Sequence, residues 1–337
     1  MDAFILVFNI ILPIAAVVSL GYICRIGKVF PESFGPILLK FAVHIALPAL
    51  LFIRMAMVPA KAIENQLTYD FVGTFTFGML LTFFAALIFY WRWSKDNIAS
   101  SAIAALNASM SNAAMLALPL LVALFGQTVM PLCILCIAVV VLIIFPLAEL
   151  IVVMSLSSQN SLSWLLKHTG LIIWQLFKTP FVLATILGLL FSLFAWPIPS
   201  PIKHFANSLA LTFIPCGLFA IGASLDIANI RGLLKYIIPM SIIKLIIQPG
   251  IMLILIFTTH MPAPYSIVAL IAAAVPPTKA SVSLASKYQL LAKEAAAGTV
   301  MMTVLSLISV TVWLLIANAL WPHYFMAHTR IDKMMIP

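Results

Sequence analysis

One apolar run carries a cluster of residues able to hold a charge. The stretch "IVALIAAAVPPTKASVSLASKYQ" places Pro276, Pro277, Thr278 and Lys279 in the middle of a segment otherwise fit for lipid, with Ser281 and Ser283 just beyond. A proline removes a backbone donor and clashes with the carbonyl one turn earlier, so two in succession open the helical ladder. Each freed backbone group costs several kcal/mol in hydrocarbon and is tolerated only against protein or a water-filled cavity. A lysine at the bilayer centre costs roughly 2.5–3.5 kcal/mol on insertion scales, so Lys279 is not expected to face lipid. Thr278 and Lys279 then open a second half-helix, whose N-terminal end favours an anion. The chemistry this predicts is capture of a negatively charged small molecule. The rival readings are a structural ion pair, for which Glu149 is the one clear intramembrane acid, and snorkelling to an interface.

A second segment, "SSAIAALNASMSNAAMLALPLLVALFG", also holds its polar residues centrally, with Ser111 and Asn112 among alanines and serines and Pro119 further on. Two interrupted spans brought together present four half-helix ends at mid-depth, and small side chains let them approach closely. Ser111 and Asn112 join Pro276, Pro277, Thr278, Lys279 and Ser281 as candidate substrate-binding residues. The alternative for Asn112 is helix–helix adhesion.

The elements that must position these residues are membrane spans. Of the 337 residues, 64% are hydrophobic and 8% charged, which a soluble domain of this size does not tolerate. Apolar segments fall at about 4–23, 36–53, 71–91, 98–122, 130–153, 171–194, 205–224, 236–257, 264–287 and 297–321, ten in all. The net charge of +9 reads as a topology signal, because Lys and Arg fall in short gaps with no exposed aromatics to suggest nucleic acid. Odd-numbered loops carry ten basic residues (Arg25, Lys28, Arg92, Lys95, Lys167, Lys178, Arg231, Lys235, Lys287, Lys293). Even loops and the tail carry five (Arg54, Lys61, Lys203, Arg330, Lys333). The positive-inside bias therefore predicts cytoplasmic odd loops and both termini outside. The first apolar stretch has no basic leader and reads as a span rather than a cleaved signal.

Lys40, Lys244 and Lys279 fall inside spans. Lys40 reads as snorkelling and Lys244 as an interface anchor, like Arg54. His44, four residues after Lys40, is a possible proton-coupling residue, because an imidazole titrates near neutral pH. Tyr90, Trp91, Trp93, Trp196 and Tyr236, among others, fall at predicted segment edges and read as an aromatic belt. Cys133 and Cys136 form a lone CxxC without a partner pair and read as packing residues; no metal or cofactor is expected. There is no phosphate-binding Gly-rich run, no paired carboxylates and no nucleophile constellation, which argues against an enzyme.

A repeat recurs at a fixed offset. Pro13 and Gly21 match Pro180 and Gly188, and Pro48 in "IALPALLF" matches Pro215 in "TFIPCGLF", all 167 residues later. At that offset Ser111 maps onto Thr278 and Asn112 onto Lys279. A five-span unit has an odd number of crossings, so its second copy enters the membrane from the other side, as in many secondary transporters. The two units are 1–153 and 171–321.

"IALPALLF", "SNAAMLALPL…LFG", "IPCGLFAIGASL" and "PPTKASVSLASKY" occur in one order across nearly the whole chain. Together they resemble the auxin efflux carrier family, whose bacterial members include malonate- and malate-permease-like proteins, and which is related in fold to bile acid:sodium symporters. The resemblance implies an all-α polytopic protein of the bacterial inner membrane. Ten transmembrane helices lie in two inverted five-helix repeats, with helices four and nine broken and crossing. It implies a scaffold (4–53 and 171–224), a mobile transport domain (71–153 and 236–321), a homodimer, and elevator-type transport of a small organic anion, mono- or dicarboxylate, with a co-transported proton or sodium possible. The family's polar crossover positions fall here on Asn112, Pro277, Thr278 and Ser281. Lys279 stands where the family often has alanine and Ser281 where it often has asparagine, which points to a self-supplied counter-charge for a carboxylate. The rival functions are a membrane sensor without turnover and a carrier of a bile-acid-like amphipath.

Overall fold

A computed structural model describes residues 3–58, 65–94, 97–157, 162–225 and 233–327. Of the basic loop residues used above, Lys61, Lys95, Arg231, Arg330 and Lys333 lie outside the described residues. The regular secondary structure of the described residues is entirely helical: α1 (Ala3–Ile26), α2 (Phe34–Ala56), α3 (Gln66–Trp93), α4 (Ile98–Ser109), α5 (113–125), α6 (130–156), α7 (Leu162–Phe177), α8 (Pro180–Leu193), α9 (Ser200–Ala223), α10 (Leu234–Thr259), α11 (Ala263–Ala274), α12 (Lys279–Tyr288) and α13 (Ala292–Leu320). A short 3₁₀ turn, Gly126–Val129, joins α5 to α6.

Among the described residues, six helical stretches are long and apolar enough to cross a membrane, and α11 with α12, bent by 42°, make a seventh. One of the six, Ile98–Leu156, contains α4, α5 and α6. The chain is thus a multi-pass membrane protein. The apolar segment 171–194 divides at Pro180, because the residue before a proline is pushed out of helical conformation; Thr179 is extended (φ −71°, ψ 130°).

Four mid-span prolines leave a signature that Pro13 and Pro215 do not. Pro48, Pro119, Pro146 and Pro249 each follow, two residues on, a five-residue π turn: Ala42–Ala46, Ala113–Ala117, Val140–Ile144 and Ile243–Ile247. In each case the residue before the proline donates five residues back, as from Leu47 to Ala42 and from Gln248 to Ile243. Widening the turn keeps the proline ring off the carbonyl it would strike. One such carbonyl, Leu245, is satisfied from α13 by Ser309 Oγ at 2.8 Å and Trp313 Nε1 at 2.9 Å.

Two groups of contacts organise the bundle. α1 packs on α9, α2 on α8, and α2 on α9. Glycines permit this: a Cβ on Gly21 would lie 2.2 Å from the Phe219 carbonyl oxygen, and one on Gly188 would lie 2.6 Å from that of Phe52. Gly222 is tighter still, at 1.8 Å from the Val18 oxygen. In the other group α3 packs on α4 and α10, α4 on α6, and α13 on α10, α11 and α12. Tyr90 belongs to this interior rather than to an aromatic belt. It is fully buried, stacks on Tyr236 and donates to its carbonyl at 3.2 Å.

Candidate functional site

α4 and α11 are each 12 residues long, about 18 Å at 1.5 Å per residue, against a hydrocarbon core of about 30 Å. Both are buried on every side, Ala99–Ser109 in one and Ser266–Ala274 in the other, as their Ala- and Ser-rich sequences permit. Each ends in extended backbone, at Met110 (φ −65°, ψ 140°) and Val275 (φ −70°, ψ 150°). The second break contains Pro276 and Pro277. The first contains no proline, and Pro119 lies inside α5, where it widens a turn instead.

The breaks touch. The Asn112 amide donates to the Pro276 carbonyl at 2.8 Å, and the Ser111 hydroxyl donates to the Ala272 carbonyl. Beyond the breaks the chain re-enters helix with matching caps: Asn112 Oδ1 accepts from the Met115 amide at 3.3 Å, and Thr278 Oγ1 from the Ala280 amide at 2.9 Å. Asn112 and Thr278 therefore share the N-cap role. The offset of 167 paired Asn112 with Lys279; α4 and α11 instead start and stop 165 residues apart, and the caps lie 166 apart. The second break is one residue longer than the first, and the register shifts accordingly.

A cavity of about 230 Å³ lies at this meeting point. Ser111, Asn112, Thr278 and Lys279 line it, with Ala113, Ala114 and Ala280 from the opening turns of α5 and α12. The rest of the wall is apolar: Leu39, Val43 and Leu47 of α2 and Ile137, Val140 and Val141 of α6. Met110, Met115, Phe181 and Ile221 complete it. Lys279 is half-buried, and among the described residues its ammonium makes no ion pair or hydrogen bond. Glu149, the acid considered for it, is engaged by Lys287 at 2.6 Å and Tyr288 at 3.2 Å.

The other candidates lie elsewhere. Pro276 and Pro277 form the break without lining the cavity, Pro276 serving as acceptor for Asn112. Ser281 is fully buried behind the wall, donating to Asn107 Oδ1 at 2.9 Å or to the Thr278 carbonyl at 2.8 Å. His44 is exposed on α2, its Nδ1 3.1 Å from the Lys40 carbonyl oxygen, while its neighbour Val43 reaches the cavity.

Sequence reasoning passed over two groups. Asn107 is a buried hub: its Oδ1 also accepts from Thr299 at 3.0 Å, and its Nδ2 donates to the Ala295 carbonyl at 3.0 Å, tying α4 to α12 and α13. Lys244 is no interface anchor. It is 0% exposed, and its Nζ donates to Gln248 Oε1 at 2.5 Å and to the Ala273 carbonyl at 2.8 Å. The available signal was the Lys–x–x–x–Gln spacing, which puts two polar residues on one helix face.

A family model described as membrane transport protein matches residues 6–314. The chain belongs to the membrane transport protein family. Its function is accordingly to move small molecules across a membrane, not to catalyse their conversion. No curated protein matches the chain. In a transporter of this kind a cavity at two helix interruptions is where polar backbone can be tolerated, because the irregular segments meet protein and cavity rather than lipid.

Proposed function

We propose that this transporter carries a small organic anion, held by its carboxylate at the meeting point of the two interrupted spans. The observation that carries the reading is the accumulation of like charge at one wall. Two half-helix N-termini and the Lys279 ammonium all border the same cavity. A cation in the first turn of a helix opposes the helix dipole rather than complementing it. With no acid on Lys279 among the described residues, the arrangement is frustrated until an anion enters. Local rules are broken in this way mainly at functional sites.

The remaining wall is aliphatic, with Phe181 and two methionines. A single carboxylate on an apolar body suits it; a second carboxylate would have to be desolvated against hydrocarbon. The reading therefore favours a monocarboxylate over a dicarboxylate. The membrane potential, about 2.3 kcal/mol per charge per 100 mV, drives such an anion outward across a cytoplasmic membrane.

Ten spans in two inverted units fit the same reading. Gly21 meets Phe219 and Gly188 meets Phe52, and both members of the first pair move onto the second by 167 residues, with the roles of the two units exchanged. α1, α2, α8 and α9, which pack on one another, would form the scaffold, and the helices around the crossover the moving part. An elevator motion then carries the site past α2, α8 and α9, whose residues supply the fixed wall of the cavity.

Counterflow in proteoliposomes tests this, with a panel of mono- and dicarboxylates of graded apolar size and neutral isosteres. Saturable exchange of an apolar monocarboxylate, with the amide isostere inactive, is the expected result. Exchange of neutral compounds alone would refute it.

A further inference from the structure

The crossover has a back as well as a front. Behind the cavity, the C-terminal ends of α4 and α11 leave carbonyls that the helix itself does not satisfy. In α11 the Ile271 carbonyl is taken by the Val275 amide, that of Ala272 by Ser111, and that of Ala273 by Lys244. In α4 the Leu106 carbonyl is taken by the Met110 amide and that of Ser109 by Gln248 Nε2 at 2.8 Å. Lys244 and Gln248 bond each other at 2.5 Å, so one linked pair spans both half-helix ends.

Lys244 is fully buried and, among the described residues, has no carboxylate partner. An isolated buried charge is expensive unless it is compensated. What faces it is the negative end of the α11 dipole, with that of α4 reached through Gln248, together with a carbonyl and an amide oxygen. Those are the ligands that hold a monovalent metal cation in transporters built on interrupted helices, where half-helix C-termini and freed carbonyls supply the oxygens. The π turn Ile243–Ile247, which ends two residues before Pro249, sets Lys244 there.

We infer that the Lys244 ammonium is a tethered cation: it occupies the place a bound Na⁺ or K⁺ would take behind the crossover, so this protein needs no inorganic cation there. The inference deepens the transport reading, since it removes one coupling ion from that position, but its structural content stands apart from what is carried.

The test is thermal. Detergent-purified wild type, Lys244→Ala and Lys244→Met are melted in choline chloride, NaCl, KCl and methylammonium chloride at equal ionic strength. Wild type is expected to melt at one temperature in all four salts. Lys244→Ala should melt several degrees lower in choline and recover in at least one small cation. Lys244→Met, which fills the space without charge, should be lowered and indifferent to the salt. A wild-type melting temperature that rises with Na⁺ or K⁺ overturns the inference, as does a Lys244→Met protein as stable as wild type. Failure of Lys244→Ala to respond to any cation also overturns it. Should Lys244→Ala not fold, the wild-type salt series and Lys244→Met decide. None of these readouts uses a substrate, so an absence of carboxylate exchange would count against the transport reading and leave this one standing.

Discussion

Asn107 offers the clearest quantitative handle on how the two interrupted helices are held. Replacing it with alanine removes three interhelical hydrogen bonds between nitrogen or oxygen atoms, to the Ala295 carbonyl, from the Thr299 hydroxyl and from the Ser281 hydroxyl, and a longer one to the Met240 sulfur at 3.6 Å. The losses are unequal. Ser281 keeps the Thr278 carbonyl at 2.8 Å as an acceptor, and the Ala295 carbonyl lies within α13, whose ladder continues to serve it. Thr299 is 7% exposed, and its hydroxyl is left without the Asn107 acceptor. Interhelical hydrogen bonds in membrane proteins average about 0.6 kcal/mol and reach about 1.7. A stranded buried hydroxyl costs about 1–3 kcal/mol. Asn107→Ala should therefore cost about 2–3 kcal/mol, with Thr299 the largest share. Because removing both partners of a buried bond is nearly neutral, Thr299→Val should relieve part of that loss. The assay is the apparent melting temperature in detergent at one heating rate, by tryptophan fluorescence, for the wild type, both single variants and the double variant. The predicted coupling is about 0.6–1.7 kcal/mol. Strict additivity of the two substitutions would refute the hub.

Gly222→Ala places a methyl 1.8 Å from the Val18 oxygen and forces α1 and α9 apart, whereas a methyl on Gly73 would meet nothing within 4 Å. Overpacking of this kind costs about 1–3 kcal/mol or more, so Gly222→Ala should lower the melting temperature while Gly73→Ala leaves it unchanged or raised. Lys287 and Glu149 should respond asymmetrically, because the lysine side chain is 52% exposed and the glutamate 7%. Lys287→Met leaves a carboxylate buried without its cation and should destabilise more than Glu149→Gln, a ranking that the same melts read directly.

Several features were legible in the sequence because single residue types force them. Pro276 and Pro277 announce an interrupted helix, and the alanine- and serine-rich flanks announce close packing. The first break was legible only through its polar residues, since Ser111 and Asn112 supply the hydrogen bonds across it and at its cap. Register was not legible across it: one extra residue in the second break shifts the caps, and a constant offset has no means of showing that. The burial of Lys244 was hidden because hydropathy gives depth along a span and not the face a residue occupies. The inward face of α10 carries Ser241, Lys244 and Gln248 and the outward face Ile238, Ile242 and Ile246, a difference that a mean over the span does not show. Tyr90 misled for a related reason, since an aromatic near a segment end reads as interfacial whether it points outward or into a neighbouring helix. Ser281 shows the converse, a polar residue beside the site whose hydroxyl is committed to its own scaffold.

The central claim is that Lys279 supplies the positive charge for the transported anion. Its direct measurement is the initial rate of carboxylate counterflow by Lys279→Ala and Lys279→Arg beside wild type, each reconstituted at equal amount and with its melting temperature recorded. Near-complete loss of exchange in Lys279→Ala, with an unchanged melting temperature and an impaired Lys279→Arg, is the result predicted, because a guanidinium does not reproduce a compact ammonium in a confined site. Wild-type rates from Lys279→Ala would contradict the account.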